Sequence, residues 1–372
     1  MEIHDLTITI RYNIHHSRTA KLRRMSYTAI PRLLIPLSTV YPMGTFRLLL
    51  AISVLISHTQ RTYFGMNFGV VAVISFLMLS GFVMTILIEK HYKAINLVPA
   101  FYLDRAMRLQ PQYLFYLLLF TLYFFTIATP QPWIKSIDLE SFFLNVAIAP
   151  ANFYMLPFMS DQVINPPAWS LGLEVCFYLT IPFLLIYRLR KVAFGLSLVF
   201  FLAAYAGYVN TDWFGYRLLP GTLFMFLMGS LLYKPGKVDT YLFWGVWLAA
   251  VVGFGYTIMH PQTWLGWNRE VLLGLCVAAP CIKVLSAIPS NRLDHLLGDI
   301  SYGVFLNHFL VIWIAREFDV ITPTTFELSL MIAVSIACAW VTFHAIELPA
   351  IKLRKKLRIK KAAINLEAEH ST

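Results

Sequence analysis

Charged residues are scarce in this sequence. They make up 13% of its 372 residues, whereas a soluble globular domain carries about 25%. Hydrophobic residues take their place and reach 58% of the chain. This composition excludes an ordinary soluble domain and predicts an integral membrane protein with many spans.

Cysteine is also rare, and its spacing indicates neither a metal centre nor a disulfide framework. The four cysteines, Cys176, Cys276, Cys281 and Cys338, lie inside apolar runs. Cys276 and Cys281 are five positions apart, which suits neither a CxxC site nor a disulfide-rich scaffold. We therefore predict that all four are small apolar core residues and that no metal or cofactor is bound.

Acidic residues are outnumbered by basic ones. The chain has 19 Asp and Glu against 30 Lys and Arg, which gives a net charge of +11. The basic residues gather in loops between apolar runs, and this is how the orientation of a membrane protein is set. The positive charge therefore indicates no nucleic-acid partner.

Apolar runs of spanning length follow one another after residue 43. Ten predicted spans cover residues 46–65, 68–88, 109–128, 170–187, 192–209, 218–233, 241–259, 270–288, 299–316 and 326–347. The run over residues 141–158 is interrupted by Pro150 and Pro157, and we expect it to form a folded loop or a re-entrant segment.

The Lys and Arg residues are divided unequally between alternate loops. One set of loops, together with the two ends of the chain, holds 23 of the 30, and the other set holds five. The positive-inside rule then places both termini in the cytoplasm. We predict an all-α integral membrane protein with about ten transmembrane helices, lying multi-pass in a bacterial plasma (inner) membrane in contact with membrane lipid. The sequence leaves the oligomeric state open.

The chain divides into three regions. Residues 1–42 form a basic arm without an apolar run long enough to span. Either the arm lies near anionic lipid, or translation starts downstream at Met25 or Met43. Residues 43–350 form the membrane domain, and residues 351–372 form a basic cytoplasmic tail that serves orientation and lipid contact.

The first span carries an arginine and a histidine. Arg47 and His58 are eleven positions apart, which is three helical turns, so both side chains point to one face about 16 Å apart. An ionisable residue inside a membrane is a functional candidate by default. The polar residues from Ser57 to Arg61 predict that this end of the helix lines a wet cavity.

Glu174 lies within another apolar span, where an unpaired carboxylate would cost several kcal/mol. Tyr178 lies one turn further on, and Trp169 and Ser170 stand at the start of the same span. We therefore expect Glu174 to pair with an arginine or a histidine on another helix.

His308 is a second intramembrane imidazole, and Ser301 lies seven positions earlier on its face. Interhelical hydrogen bonding is the simplest interpretation of this histidine. Glu347 precedes Pro349 at the end of the last span. We predict that it is a structural partner for a nearby arginine.

Arg105 and Arg108 share a helix face at the cytoplasmic entry of the third span, and Pro111 follows close to the helix start. They either grip a phosphate-bearing ligand or only anchor the topology. Together with His58, they suggest a phosphate-rich donor bound from the cytoplasm and a general base for an acceptor hydroxyl. Proton-coupled transport needs similar groups, so these residues alone leave both functions open.

Five stretches together resemble the membrane acyltransferase-3 family, in the family's order and over roughly residues 43–356. They are Arg47-x10-His58; Gly69 to Thr85, with Ser80, Gly81 and Phe82; Arg105-x-x-Arg108-Leu-x-Pro111-x-Tyr113; Trp169-Ser170-Leu171-x-x-Glu174-x-x-Phe177-Tyr178; and Leu297-Gly298-x-Ile300-Ser301-Tyr302-x-x-x-Leu306-x-His308, followed by Glu347-x-Pro349. The fourth stretch is the most specific.

The resemblance implies a stand-alone O-acyltransferase. Such an enzyme takes an acyl group, commonly acetyl, from acetyl-CoA or another acyl-coenzyme A in the cytoplasm and delivers it to a hydroxyl of a glycan or a lipid-linked sugar. The implied catalytic residues are His58 as base or acyl relay, Arg47 and Glu174. The implied acyl-CoA-binding residues are Arg105, Arg108, Ser80 and Gly81, and the supporting residues are Trp169, Ser170, Tyr178, Ser301, Tyr302 and His308.

Two positions depart from the family pattern. The family's Asp-Gly-Leu-Arg stretch reads Gly44-Thr45-Phe46-Arg47, so an acidic partner for Arg47 is missing, and its Glu-Glu pair reads Glu174-Val175. The rival function is a proton-coupled transporter or acyl-group permease, with a catalytically silent membrane partner as a third. The chain shows no repeated half with broken helices, which favours the enzyme.

Overall fold

Helices make up nearly all of the structure, a computed structural model that describes residues 43–127, 134 and 137–354. The α-helices are α1 (Gly44–His58), α2 (Phe68–His91), α3 (Val98–Thr126), α4 (Leu139–Val146), α5 (Ala168–Ile186), α6 (Arg190–Tyr205), α7 (Leu219–Leu231), α8 (Lys237–Met259), α9 (Asn268–Leu285), α10 (Arg292–Glu317) and α11 (Thr325–Thr342). Five of them, α2, α5, α8, α10 and α11, are long and apolar enough to cross a membrane, and α1 is a shorter apolar helix. The predicted all-α membrane fold is confirmed.

Each of the ten predicted spans coincides with one of these helices, and only the short α4 has no predicted span. The number of membrane crossings and the cytoplasmic position of the termini stay predictions. The basic arm, residues 1–42, and most of the basic tail, residues 355–372, lie outside the described residues.

Several helix boundaries differ from the predicted ones, and two of these differences bear on the candidate site residues. α3 begins at Val98, because Pro99 fits the first turn of a helix, so Pro111 lies inside the helix rather than close to its start. α1 ends at His58, because the backbone then leaves the helical region and reaches a φ of 62° at Gln60. The arginine pair therefore lies within α3, and the histidine is the last residue of α1.

The proline-interrupted segment forms a folded loop, as predicted. Asp138 caps α4 by accepting a hydrogen bond from the backbone N–H of Ser141. A 3-10 turn, Ala149–Phe153, follows and packs against α5. With eight residues, α4 is too short to span a bilayer.

α2 lies at the centre of the described helices. It contacts α1, α5, α7 and α9, and 89% of its most apolar stretch is buried. A helix that is apolar on all sides must be surrounded by protein or lipid. For α2 the surroundings are mostly other helices of this chain.

Glycine allows the closest helix contacts. A Cβ atom on Gly81 of α2 would lie 1.7 Å from the carbonyl oxygen of Phe226 on α7, and one on Gly44 of α1 would lie 1.7 Å from the carbonyl oxygen of Asp294 on α10. Both distances are far inside van der Waals contact, so only glycine fits. This gives Gly81 a packing role, and its predicted role in acyl-CoA binding stays a prediction.

A buried polar network joins α3, α10 and α11. The side-chain amide of Gln112 donates to the hydroxyl of Thr342 at 2.9 Å, and the Tyr116 hydroxyl contacts the same atom at 2.9 Å. Asn307 donates to the Tyr116 hydroxyl at 3.3 Å and accepts from Ser335 at 2.5 Å. Such interhelical hydrogen bonds fix the relative positions of helices in a membrane. Here they attach α10 to α3 and α11 at Asn307, the residue next to His308.

α8 is the most weakly buried of the long apolar helices. Only 17% of its most apolar stretch is buried, although its mean hydropathy there is 1.7. It packs mainly on α9. An apolar helix with so little protein around it is suited to a lipid-facing position at the edge of the bundle.

Candidate functional site

α1 carries both predicted catalytic groups of the first span. Arg47 lies in its first turn and His58 is its last residue, and the helix is continuous between them. Both side chains are half-buried. The residues on the buried side of the helix between them are Leu48, Leu50, Ala51, Val54 and Leu55. The predicted spacing of three turns on one helix is confirmed.

His58 packs against α10. Its ring lies 4.4 Å from the ring of Phe309 and 5.4 Å from that of His308, with 19° between the planes of the two imidazoles. In the described part of the chain no residue is hydrogen-bonded to the His58 ring, so both nitrogens are free for a substrate. Arg217 and Arg316 act on His58 electrostatically.

His308 is fully buried beside it. Its Nδ1 lies 2.7 Å from the carbonyl oxygen of Phe305. Nδ1 must donate to that oxygen, so in the neutral ring Nε2 carries the lone pair. Nε2 has no hydrogen-bond partner among the described residues. The predicted interhelical hydrogen bond of His308 is therefore wrong, because the ring bonds its own helix and contacts α1 through its face.

A cavity of about 90 Å³ opens beside His58. α1 contributes Ser57 and His58, the start of α5 contributes Trp169 and Ser170, and the turn before α7 contributes Tyr216 and Arg217. Asn67 and Trp267 complete the polar and aromatic part of the wall. A cavity is therefore present at this end of α1, as predicted, and its wall combines polar, aromatic and apolar side chains. That it is wet stays a prediction.

Arg217, Tyr216 and Trp267 are residues of this cavity that the sequence did not single out. Tyr216 and Arg217 end a five-residue π-helical turn, Trp213–Arg217, and Trp267 is the residue that precedes α9. In the sequence, Arg217 is only one of the five Lys and Arg residues in the set of loops that carries few basic residues. The neighbouring Tyr216 and Trp213 were the available signal, since aromatic residues beside an arginine are typical of binding surfaces.

Glu174 is held by hydroxyl groups. Ser80 donates to its Oε1 at 2.5 Å, and Tyr178 donates to the same oxygen at 2.6 Å. Arg47 interacts electrostatically with Glu174 and with Asp299. No ion pair within 4 Å joins Glu174 to a described arginine or histidine. The predicted partner on another helix is therefore Arg47, which acts electrostatically, while the two hydroxyls make the direct hydrogen bonds to the carboxylate.

The arginine pair of α3 has carboxylate partners within the protein. Arg105 contacts Asp104 at 2.5 Å, and Arg108 contacts Glu347. The guanidinium of Arg108 also lies 5.6 Å from the ring centroid of Tyr302. The prediction that Glu347 is a structural partner for an arginine is confirmed. Binding of coenzyme A phosphates by Arg105 and Arg108 stays a prediction.

An acidic residue does stand at the start of α1, but it comes from α10. Asp294 accepts hydrogen bonds from the backbone N–H groups of Gly44 and Thr45, at 3.0 and 2.8 Å. A carboxylate is favourable at a helix N-terminus, where N–H groups are unpaired. The family pattern has an acidic residue shortly before Arg47. In this chain a distant acidic residue, Asp294, caps α1 instead.

The remaining supporting residues donate hydrogen bonds to backbone carbonyl groups. Ser170 donates to the carbonyl oxygen of Pro167 at the start of α5, and Ser301 donates to that of Gly298 within α10. Tyr302 donates to the carbonyl oxygen of Leu109 on α3. They fix the helices that carry the site, and a contact with substrate stays a prediction for each.

The chain is similar to a known protein family and to a bacterial protein. The family described as "Acyltransferase domain", acyltransferase-3, matches residues 43–344. A relative from the bacterium Aquifex aeolicus (strain VF5), itself described as an uncharacterized protein, is 35% identical over 199 residues, which cover 52% of this chain and 90% of that protein. No solved structure matches significantly. The family match includes α1 with Arg47 and His58, α5 with Glu174, and all of α11. The chain therefore belongs to the acyltransferase-3 family, and it is a membrane acyltransferase.

Proposed function

We propose that the protein transfers an acyl group, most simply acetyl, from a cytoplasmic acyl-coenzyme A to a hydroxyl of a glycan or a lipid-linked sugar. The observation that carries this proposal is the imidazole of His58. It has no hydrogen-bond partner in the described part of the chain and lines a cavity with polar groups in its wall. An unoccupied imidazole in such a place is suited to a general base or a nucleophile.

His58 can act in two ways. As a general base it takes the proton of the acceptor hydroxyl while the hydroxyl oxygen attacks the thioester carbonyl, the C–S bond breaks, and the thiolate of coenzyme A recovers the proton. As an acyl relay it attacks the thioester itself, releases coenzyme A as the thiol, and passes the acyl group from its ring nitrogen to the acceptor oxygen. Both routes give an ester and free coenzyme A.

The other end of α1 is suited to the donor. Arg47 lies among Glu174, Asp299 and the arginine pair of α3, and Arg105 is one of the charges that act on it. Coenzyme A carries several phosphates, and guanidinium groups bind phosphate bidentately. In this proposal Arg105 and Arg108 bind the donor. The chain crosses a bacterial inner membrane ten times, and the unequal distribution of Lys and Arg orients both termini towards the cytoplasm.

The test compares surface glycans and lipids by mass spectrometry in four strains: the deletion, and the deletion complemented with wild type, His58→Ala or His260→Ala at equal membrane abundance. His260 is the matched control, since it stacks on Tyr256 and does not line the cavity. We expect an ester-linked acyl group that disappears on deletion, returns with wild type and His260→Ala, and stays absent with His58→Ala.

Other results would overturn the proposal. An ester that His58→Ala restores fully removes this residue from the mechanism. If the deletion strain keeps every glycan and lipid ester, the acceptor class is wrong, and export of an acylated small molecule, as a permease would perform, becomes the better function.

A further inference from the structure

Arg217 is held rigidly at the wall of the cavity that contains His58. Its Nε lies 2.9 Å from both carboxylate oxygens of Asp212, and the indole N–H of Trp267 donates to Asp212 at 2.8 Å. The side chain of Arg217 is only 16% exposed. A planar guanidinium fixed in this way presents its remaining donors in a defined direction.

Three aromatic rings surround the guanidinium. Its Cζ lies 4.8 Å from the ring centroid of Trp169, 5.0 Å from that of Tyr216 and 5.4 Å from that of Tyr154. Burial raises the pKa of Tyr154 to about 12, against the opposing effect of Arg217, and also raises the pKa of Tyr216. Both phenols therefore stay neutral at physiological pH.

The guanidinium has donors to spare. Apart from its Nε, the nitrogens of Arg217 donate to no residue in the ranges that the structure covers, and they are not among the buried unpaired atoms. Arg217, Tyr216 and Trp169 line the same cavity as His58. A ligand in this cavity thus meets two free Nη groups, aromatic ring surface and the imidazole at once.

The charge of the site indicates an uncharged ligand. Asp212 neutralises Arg217 at ion-pair distance, so the pair carries no net charge that would favour an anion. The free Nη groups of Arg217 can donate to hydroxyl groups, and the hydroxyl oxygens of Ser57 and Tyr216, which line the same cavity, can accept from them. Aromatic rings with a few convergent polar groups are typical of small-molecule sites. A sugar ring has both kinds of surface, with C–H faces and hydroxyl edges.

We propose that Arg217, Trp169, Tyr216 and Trp267 form an acceptor subsite that binds an uncharged hexopyranose unit and holds one of its hydroxyls beside His58, with Asp212 positioning Arg217. This inference rests on the proposed function and names the part of the acceptor that the protein recognises. The cavity of about 90 Å³ has room for several water molecules, so it admits the hydroxyl-bearing edge of the ring.

The experiment measures binding without transfer. The full chain in lipid nanodiscs, without any acyl-coenzyme A, is titrated with methyl glucopyranoside, methyl galactopyranoside and methyl mannopyranoside, and binding is read by saturation-transfer NMR. Methyl glucuronide and inorganic phosphate serve as anionic probes. We expect at least one uncharged pyranoside to bind, and to bind more tightly than either anion.

The variants are Arg217→Lys, Asp212→Asn and Arg269→Lys, each checked for a wild-type thermal unfolding profile. Arg217→Lys loses the planar fork, and a hydrogen bond to a charged group contributes enough for about a tenfold loss of pyranoside affinity. Asp212→Asn releases the guanidinium and is expected to weaken binding too, which keeps the test valid if Arg217→Lys fails to fold. Arg269 is the matched control, since it stacks on Trp264 at 3.4 Å outside the cavity.

The outcomes separate the two proposals. Binding and transfer are read separately, because the pyranoside titration contains no acyl-coenzyme A. If the glycan experiment fails while binding still depends on Arg217, the proposed transfer is wrong and the subsite stands. If no uncharged pyranoside binds, if the anions bind better, or if Arg217→Lys and Asp212→Asn both bind like wild type, the subsite is wrong.

Discussion

The carboxylate of Asp294 on α10 caps α1 at Gly44, 250 positions away in the chain. Its Oδ2 accepts from the N–H of Gly44 at 3.0 Å, while its Oδ1 accepts from both the N–H and the hydroxyl of Thr45 at 2.8 Å. The N-terminus of α1, which carries Arg47 and His58, is therefore positioned by a residue of α10, the helix that also carries His308.

Asp294→Ala tests this cap. The variant leaves two backbone N–H groups of Gly44 and Thr45 without an acceptor, which costs about 1–2 kcal/mol. We expect a lower midpoint in thermal unfolding followed by circular dichroism in nanodiscs. Asp294→Asn keeps one acceptor oxygen and should lose less. An unchanged midpoint for Asp294→Ala would show that the cap does not stabilise α1.

Gly81→Ala tests the contact between α2 and α7. The new methyl group would meet the carbonyl oxygen of Phe226, which is backbone and cannot turn aside. We expect little folded protein in the membrane fraction. Gly245→Ala on α8 is the control, because nothing lies within 4 Å of its Cβ position. At position 245 the higher helix propensity of alanine should stabilise α8 by about 1 kcal/mol. Equal amounts of folded protein for the two variants would contradict the close contact at Gly81.

The pair of Arg108 and Glu347 is suited to a double-mutant cycle. Their side chains are 21% and 1% exposed, so losing one partner leaves a buried charge and costs about 3 kcal/mol. We expect Arg108→Gln and Glu347→Gln each to lower stability, and the double variant to lower it by less than their sum.

The same cycle separates the two interpretations of Arg108. Acetyl-coenzyme A affinity is measured by calorimetry on the folded double variant. If Arg108 binds the donor, the double variant should bind acetyl-coenzyme A more weakly than wild type, even though part of its stability is recovered. Unchanged affinity would leave Arg108 with a structural role alone.

His308 is expected to position the His58 ring through its face. His308→Phe keeps a ring in the stack and should retain most of the transfer rate. His308→Ala removes a contact of about 0.5–1.5 kcal/mol and should lower kcat by up to about tenfold, with little change in KM for the donor. If both variants lose activity equally, the Nε2 lone pair matters more than the ring.

Glu174→Gln tests the carboxylate that Ser80 and Tyr178 hold. The amide keeps the shape but loses the charge that acts on Arg47. We expect transfer to fall at least about tenfold, since a hydrogen bond to a charged group is worth about 1.5–3 kcal/mol. Tyr178→Phe removes one of the two hydroxyl donors and should cost less. The reverse order would make Tyr178 the more important group.

The sequence predicts what lies along one helix much better than what meets between helices. The positions of the helices and the Arg47 to His58 spacing follow from hydropathy and helical geometry, and the role of Glu347 follows from its place at a helix end. The cap by Asp294 and the cavity position of Arg217 depend on how distant segments pack. No periodicity in the sequence encodes those contacts, so only the structure shows them.

The low burial of α8 has an evolutionary consequence. Its side chains meet few others of the described residues, so a substitution there needs no compensating change elsewhere, provided that it stays apolar. Selection on α8 then acts on length and hydropathy, whereas on α2 nearly every position is constrained by a neighbour. Related sequences should diverge fastest along α8, and a fluorescent label or a purification tag is best placed in the loops at its two ends.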